Sequence, residues 1–513
     1  MKNTHELQKW FKKHITDCGK PYTLDKNQAK IVLDSHKHTL VTARAGSGKT
    51  RTIVAKAIYL LTYLQIPPDK IIIFSFNRKA RAEINERLCQ IKFDDKPILS
   101  PEIELATTFH AFAYKILGGK KVVGPKLTDE NQQNQILNQI CIDNALQIKS
   151  DEIKQFIIRA EQQYFNDYSL LDQKISLMRE ENENKSKLEK FNFVFKKYRN
   201  EMERLYLTNF NQIMADAAIQ IGESGLKQDY KYIFVDEYQD FSKLFLNLIK
   251  AILSKCNNPK LLAVGDDWQS INRFAGSNVD YFLHFEKYFK EDNAKLFIPT
   301  NYRSGKRIVK NANLFMSKAL HDFNGCKSGN KLKAKIFYKN MKYGKARKNK
   351  NIPILIENYL ETTLGIIQEN PDKSIKILSR NNDLHIPDWS LEKFVKLVKI
   401  TYANGEDYQK LAIDKQITYS TIHRSKGLES DIVILLEIDE NKFPAPDKTG
   451  GLYEIFGDNQ KTLFEDEARL FYVALTRPKE KLFILSKTTK ISRENKKYNF
   501  FSYLDENYLE EIL

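Results

Sequence analysis

The stretch "VTARAGSGKT", residues 41–50, constrains the fold more than any other part of the chain. A short apolar run, "TLVTA" (39–43), leads into a glycine-containing turn that ends in Lys-Thr, and the amphipathic run "TRTIVAKAIYLL" follows. Strand, turn and helix in that order bring backbone N–H groups to a helix N-terminus, where the helix dipole favours an anion. The main chain of Ala45, Gly46, Ser47 and Gly48 would line a phosphate cradle, Lys49 would reach the terminal phosphates, and the Thr50 hydroxyl would hold magnesium. Ala43 stands where the general pattern has its first glycine. A glycine-rich turn without a ligand would not need strand, Lys-Thr and helix together.

Further apolar runs recur at intervals: "IIIFSF" (71–76), "IELATTF" (103–109), "YIFVDE" (232–237) and "LLAVGD" (261–266), several followed by helix-like sequence. Continuous apolar strands alternating with amphipathic helices predict a parallel sheet covered on both faces. A second series, "LFIPT", "IKILS", "DIVILLEI" and "LFILS", begins after residue 295, so two α/β cores in tandem are expected. The polar, helix-rich stretch 118–205 exceeds an ordinary sheet connection and reads as an inserted helical subdomain. The expected boundaries are 1–117 with 206–293 for the first core, 118–205 for the insertion and 294–513 for the second core. A basic tract with interleaved aromatics, 330–351, suits either a nucleic-acid backbone or a solvated loop.

A phosphate cradle by itself implies only a nucleoside triphosphate. The chemistry is narrowed by "YIFVDEYQD", where a buried strand ends in Asp236 and Glu237. Asp236 is placed to hold magnesium, and Glu237 to orient or deprotonate a water, which favours hydrolysis over transfer to a second metabolite. Lys and Arg outnumber Asp and Glu 82 to 65, a formal charge of +17 that suits a polyanionic partner. The five cysteines are scattered without a CxxC pair, so neither a disulfide framework nor a zinc site is expected. With no signal-like N-terminus and no long apolar run, a cytoplasmic location without membrane attachment is expected.

The order of motifs resembles the superfamily 1 DNA helicases of the UvrD/Rep type, most of all helicase IV-like members. "LDKNQ" precedes the cradle, and "FSFNRKARAEI", "ATTFHAFA", "VDEYQD", "VGDDWQSINRFAG", "NYRS", "STIHRSKGLESD" and "EDEARLFYVALTRPKEKLFIL" follow in family order. The resemblance implies two RecA-like P-loop NTPase cores using ATP and Mg2+. It implies that Gln28 reads adenine, that Arg51 and Tyr302 sandwich its ring, and that Glu429 contacts the ribose. By the same resemblance, Arg303 and Arg477 are arginine fingers approaching the γ-phosphate from the second core, and Gln269 senses that phosphate. Phe76, Thr107, His110, Phe274 and His423 are implied to line a path for single-stranded DNA, with Phe274 the stacking platform.

Departures from the family pattern narrow the reading. Asn272 and Ala275 stand where many relatives carry Tyr and Arg, which removes one candidate stacking group and one phosphate contact. The short run from Arg380 to Thr418 leaves the regulatory 2B insertion, expected around 330–415, much reduced or absent. No fused nuclease domain is expected after the last strand run. The expected activity is an ATP-driven 3′–5′ motor on single-stranded or tailed duplex DNA, serving repair, recombination or defence. The alternative is an ATP-gated DNA-sensing subunit that works with a partner such as a nuclease. A small-molecule P-loop kinase would need one core and a lid, not two cores with two arginine fingers.

Overall fold

The computed structural model describes residues 3–119, 125–165, 167–179, 182, 184–341, 352–403, 413–439, 442–446, 450–487 and 500–512. The chain divides into two compact units: Met1–Ala43 with Lys49–Ile298 and Thr449–Asn459, and Arg44–Gly48 with Pro299–Lys448 and Gln460–Leu513. The basic tract falls partly outside the described residues, at 342–351. Among the described residues no helix is long and apolar enough to cross a membrane.

The first unit is built on β1 (His38–Ala43), β2 (Ile71–Ser75), β3 (Ala106–Thr108), β4 (Tyr232–Val235), β5 (Lys260–Gly265) and β6 (Asn293–Ile298). They form one sheet in the order β6-β1-β5-β4-β2-β3, with every neighbouring pair parallel. Alternation explains why the strands read as unbroken apolar runs. Val41, Ile71, Ile73, Phe234 and Val264 pack into one core, while Leu40, Ile72, Phe74, Ile233, Val235 and Ala263 pack into another. Successive side chains point to opposite faces, and here both faces are buried. One strand corrects the sequence reading. The "LFIPT" run, expected to open the second series, lies largely in β6 and pairs with β1 in the first sheet, Leu296 opposite Val41 and Ile298 opposite Ala43.

Two helices flank the cradle in sequence. Helix α1 (Lys26–Leu33) starts with a capping box in which Asp25 accepts from the backbone of Asn27 and Gln28, and Gln28 returns a bond to the Asp25 N–H. Helix α2 (Lys49–Ile58) follows the cradle directly. Lys56, deep under α2, donates to the carbonyls of Ile31, Val32 and Asp34 at the C-terminal end of α1. Burial pulls its ammonium down to about 8.

The stretch read as an insertion contains α3 (Glu130–Asp143), α4 (Ser150–Tyr164), α5 (Tyr168–Ser176) and α6 (Lys185–Arg204). A short parallel pairing of Lys126 with Leu207 and Leu127 with Thr208 brings its two ends together. Its core, which includes Ile153, Phe156, Phe191, Phe195 and Tyr198, also takes in Leu452, Tyr453 and Phe456, from far along the chain. Arg159 on α4 pairs with Asp458 at 2.5 Å and lies over the ring of Tyr453. Gln163 donates to the Phe456 carbonyl and the Tyr164 hydroxyl to the Ile455 carbonyl.

The second unit has its own parallel sheet: β7 (Lys335–Asn340), β8 (Ile375–Ser379), β9 (Ile417–Thr421), β10 (Ser430–Leu436), β11 (Pro478–Ser486) and β12 (Leu509–Glu511), in the order β9-β8-β10-β11-β7-β12. Helix α7 (Gln460–Leu475) precedes β11, and its last eight residues, Ala468–Leu475, are buried. The molecule is therefore α/β throughout, with a helical insertion after β3.

Candidate functional site

In the first sheet the chain leaves β1 and crosses over β5 and β4 to reach β2. The carboxyl ends of β1, β4 and β5 therefore border a topological switch point, where open α/β sheets bind ligands. The cradle leaves the end of β1. Gly46 (φ +71°) and Gly48 (φ +84°) are left-handed, a conformation that turns successive N–H groups inward and that side-chain-bearing residues seldom adopt. The hydroxyl of Ser47 is buried and has no hydrogen-bond partner among the described residues, as expected of a loop shaped for an anion. Lys49 and Thr50 open α2.

At the end of β4 the Asp236 N–H is held by the Phe74 carbonyl at 2.9 Å. Glu237 then adopts a left-handed conformation (φ +52°, ψ +40°), which costs a residue with a Cβ roughly 1–2 kcal/mol. Strain of this kind persists where the surroundings over-determine it. Its N–H donates to Asp236 Oδ1 at 2.9 Å, and its Oε1 lies 3.7 Å from Lys49 Nζ. Burial, with the neighbouring Glu237 charge, pushes the Asp236 carboxyl up, against the pull of Lys49. The Thr50 hydroxyl and the Asp236 carboxylate are hard oxygen donors of the kind magnesium takes. The residues present thus fit a nucleoside triphosphate and its cation.

The sequence reading did not single out Gln239, Asp266 or Tyr22. Gln239 is fully buried; its amide nitrogen donates to Glu237 Oε2 and its amide oxygen accepts from the Asp266 N–H at 2.8 Å. Asp266, at the end of β5, in turn accepts from Gln269 Nε2 at 2.6 Å. Both residues sit inside the quoted runs "VDEYQD" and "VGDDWQ", but their partnership is not legible there. Tyr22 supports Arg51: the guanidinium lies 4.1 Å from the Tyr22 ring centroid and donates to the Thr23 carbonyl, and the Tyr22 hydroxyl donates to the Arg51 carbonyl. Gln28 is buried, with its carboxamide oxygen engaged by the capping box, so paired recognition of adenine would require that bond to open.

The remaining candidates for the nucleotide site belong to the second unit. Tyr302 is 46% exposed, whereas Arg477 is fully buried and donates to the carbonyls of Val473 and Leu428 and to the Thr476 hydroxyl. Arg303 donates to Glu429 at 2.7 Å and to the Thr476 carbonyl. Glu429 also pairs with Lys479 at 3.0 Å, and these two cations hold its carboxylate below the usual range despite burial. Asn301, absent from the sequence reading, bonds the Ala45 carbonyl, and the Tyr302 N–H bonds that of Gly46.

The five aromatic, hydroxyl and imidazole candidates for a nucleic-acid path differ in exposure. Phe274 is 47% exposed in a short helical turn at Arg273–Ala275. Phe76 packs against Phe109, Phe241 and Phe245, which makes it partly a core residue. Thr107 is half-buried in β3. The His110 ring meets that of Phe210 at 5.0 Å, and Phe210, 48% exposed, is an aromatic the sequence reading passed over. Burial lowers His110, and burial with the nearby Arg380 and Lys426 charges lowers His423 to about 4, so both rings are neutral at pH 7.

Residues 24–290 match the UvrD/REP helicase N-terminal domain, and residues 386–489 the UvrD-like helicase C-terminal domain. DNA helicase IV of Escherichia coli strain K12 is 28% identical over 507 residues, covering 90% of this chain and 68% of that protein. The ATP-dependent DNA helicase Rep of Buchnera aphidicola from Acyrthosiphon pisum is 29% identical over 447 residues, 82% of this chain and 62% of its own length. The ATP-dependent DNA helicase PcrA of Staphylococcus aureus strain Mu50 is 28% identical, over 56% of this chain and 39% of its own. With a glycine turn between β1 and α2, an acidic pair at the end of β4, two parallel sheets and both domain models matched in order, the chain belongs to the UvrD/REP helicase family.

Proposed function

We propose that this chain is an ATP-dependent DNA helicase or translocase that moves 3′ to 5′ on single-stranded DNA. The observation that carries the reading is the meeting of Lys49 with the strained Glu237, beside the buried Asp236, at the rim of the first sheet. In this reading the Ala45–Gly48 main chain and Lys49 bind the phosphates. Thr50 and Asp236 hold a magnesium ion, which offsets phosphate charge when bound. Glu237 orients the attacking water and takes its proton. Gln269 senses the γ-phosphate, and Arg303 and Arg477 stabilise the charge that develops on it, a contribution typically worth about 10³ to 10⁵ in rate.

On the adenine side, Gln28, Arg51 and Tyr302 hold the base and Glu429 the ribose. Stacking on an aromatic and contacts to phosphate tolerate any sequence, which a motor requires. Phe274, exposed in the segment that follows Gln269, is the platform, and Phe76, Thr107, His110 and His423 complete the path. The pathway of use is repair, recombination or defence, in the cytoplasm.

The test is the ATPase rate of the purified chain with and without single-stranded DNA, beside strand separation of 3′-tailed and 5′-tailed duplexes. DNA-stimulated hydrolysis with unwinding of the 3′-tailed duplex alone is expected; equal hydrolysis with and without DNA would sink the motor reading. A second reading is an ATP-gated DNA sensor that needs a partner such as a nuclease. It is favoured by the modest connection from β8 to β9, whose described part carries the helix Leu391–Tyr402 and the short helix Ile413–Gln416. Stimulated hydrolysis without unwinding would select it.

A further inference from the structure

We propose that Gln239 is a positioning residue for hydrolysis, joining the Glu237 carboxylate to the turn that carries Gln269 so that the two move as one. The inference rests on the assignment of Glu237 as the residue that activates water. Gln239 is fully buried, with both ends of its amide engaged. Its nitrogen donates to Glu237 Oε2 and its oxygen receives the Asp266 N–H. Its own carbonyl receives the Ser270 hydroxyl at 3.0 Å. Asp266 then holds Gln269 through Oδ2 and the Trp268 N–H through Oδ1. One side chain therefore spans the gap between the ends of β4 and β5.

The packing is close around this side chain. A Cβ built on Gly265 would sit 2.4 Å from the Gln239 amide oxygen and 3.0 Å from its backbone nitrogen. Glycine at 265 is thus required by the close approach of Gln239. Glu237 itself is held left-handed, so its backbone conformation and its carboxylate are both set by neighbours. A primary amide is the side chain that can donate to a carboxylate at one end and accept a backbone N–H at the other. Leucine could do neither, and glutamate could only accept unless protonated.

The consequence concerns regulation. Phe274 and Gln269 lie on one continuous segment that leaves β5. A base stacking on Phe274 shifts that segment, and Gln239 passes the shift to Glu237. Rigid side-chain networks with two discrete arrangements carry such coupling.

The experiment uses the full chain with Gln239→Leu, Gln239→Glu, Glu237→Gln and the Glu237→Gln/Gln239→Glu pair. Expected for both Gln239 variants is a kcat about 10- to 100-fold lower, with KM for ATP and affinity for a non-hydrolysable ATP analogue within about threefold. Their stimulation by single-stranded DNA should also shrink. In the paired variant the bond is remade in the opposite sense, so the melting temperature lost in Gln239→Glu returns while hydrolysis does not. If Gln239→Leu proves poorly folded, Gln239→Glu, which keeps the acceptor for the Asp266 N–H, decides the matter.

A kcat within about twofold of the parent in Gln239→Glu would overturn the proposal, as would losses in kcat and affinity that merely follow melting temperature. Lys49→Ala separates the two levels. Full hydrolysis in Lys49→Ala would bring down the phosphate-site reading itself, whereas an inactive Lys49→Ala beside unimpaired Gln239 variants would sink only this inference.

Discussion

The two parallel sheets are built alike and differ at their rims. Each has six strands, and the central ones, β4 and β5 in the first and β10 in the second, are largely buried. The rim of the first holds acidic and amide side chains that bond one another, Gln239 to Glu237 and Gln269 to Asp266. In the second, just before β11, Arg477 bonds the Val473 and Leu428 carbonyls, while Arg303 bonds both the Thr476 carbonyl and the Glu429 carboxylate. The Glu237 carboxylate is bonded by the Gln239 amide and faces Lys49, both of them side chains. An arginine held by carbonyls at the end of α7 is part of its fold, because removing it strands buried acceptors. The same scaffold thus carries a side-chain network at one place and an arginine bonded to main chain at the other.

The largest effect expected is at the second rim. Arg477→Ala should lower ATP turnover by about 10³-fold or more and also destabilise the chain by roughly 2–3 kcal/mol, measured by steady-state hydrolysis and denaturant melts. If it lost turnover with stability intact, the two rims would not differ in kind. Glu237→Gln should lower kcat by about 10²- to 10⁴-fold while leaving stability and nucleotide affinity near the parent values. Melting well below the parent would break the comparison from the other side.

Smaller effects test the details. Gly265→Ala forces atoms apart at the first rim and should cost about 1–3 kcal/mol in an unfolding titration. Phe274→Ala should weaken single-stranded DNA binding by roughly 1–3 kcal/mol without changing the melting temperature. Phe76→Ala, in contrast, should lower the melting temperature, because that ring packs against Phe245 and Phe109. Equal behaviour of the two phenylalanines would mean that exposure does not separate the ring proposed to stack on DNA from the core one.

Much of the molecule was legible in residues 39–50 and 232–237. Local runs report local facts: an apolar strand, a turn that needs positive φ, a helix start, carboxylates at a strand end. Those facts are carried within a few residues, where covalent reach is enough. The placement of "LFIPT" was misread because an apolar run does not say which sheet it joins; its pairing with β1 depends on a strand some 250 positions earlier. Tyr22, Asn301 and Phe210 were missed for a similar reason, since nothing in their own neighbourhoods names Arg51, Ala45 or His110 as partners.

By itself the sequence determined the α/β class, the glycine turn before a helix, the acidic pair at a strand end and the family, because each rests on motif spacing that survives without knowledge of the rest of the chain. Tertiary structure alone decided which groups meet. It put Gln239 between Glu237 and Asp266, folded Arg477 into backbone carbonyls, and set Leu452, Tyr453 and Phe456 into the core of a helical insertion that begins some 300 residues earlier. Those pairings are products of close packing. A buried polar group must find its partner wherever the fold brings one within hydrogen-bond distance, and that distance is not written in the order of residues.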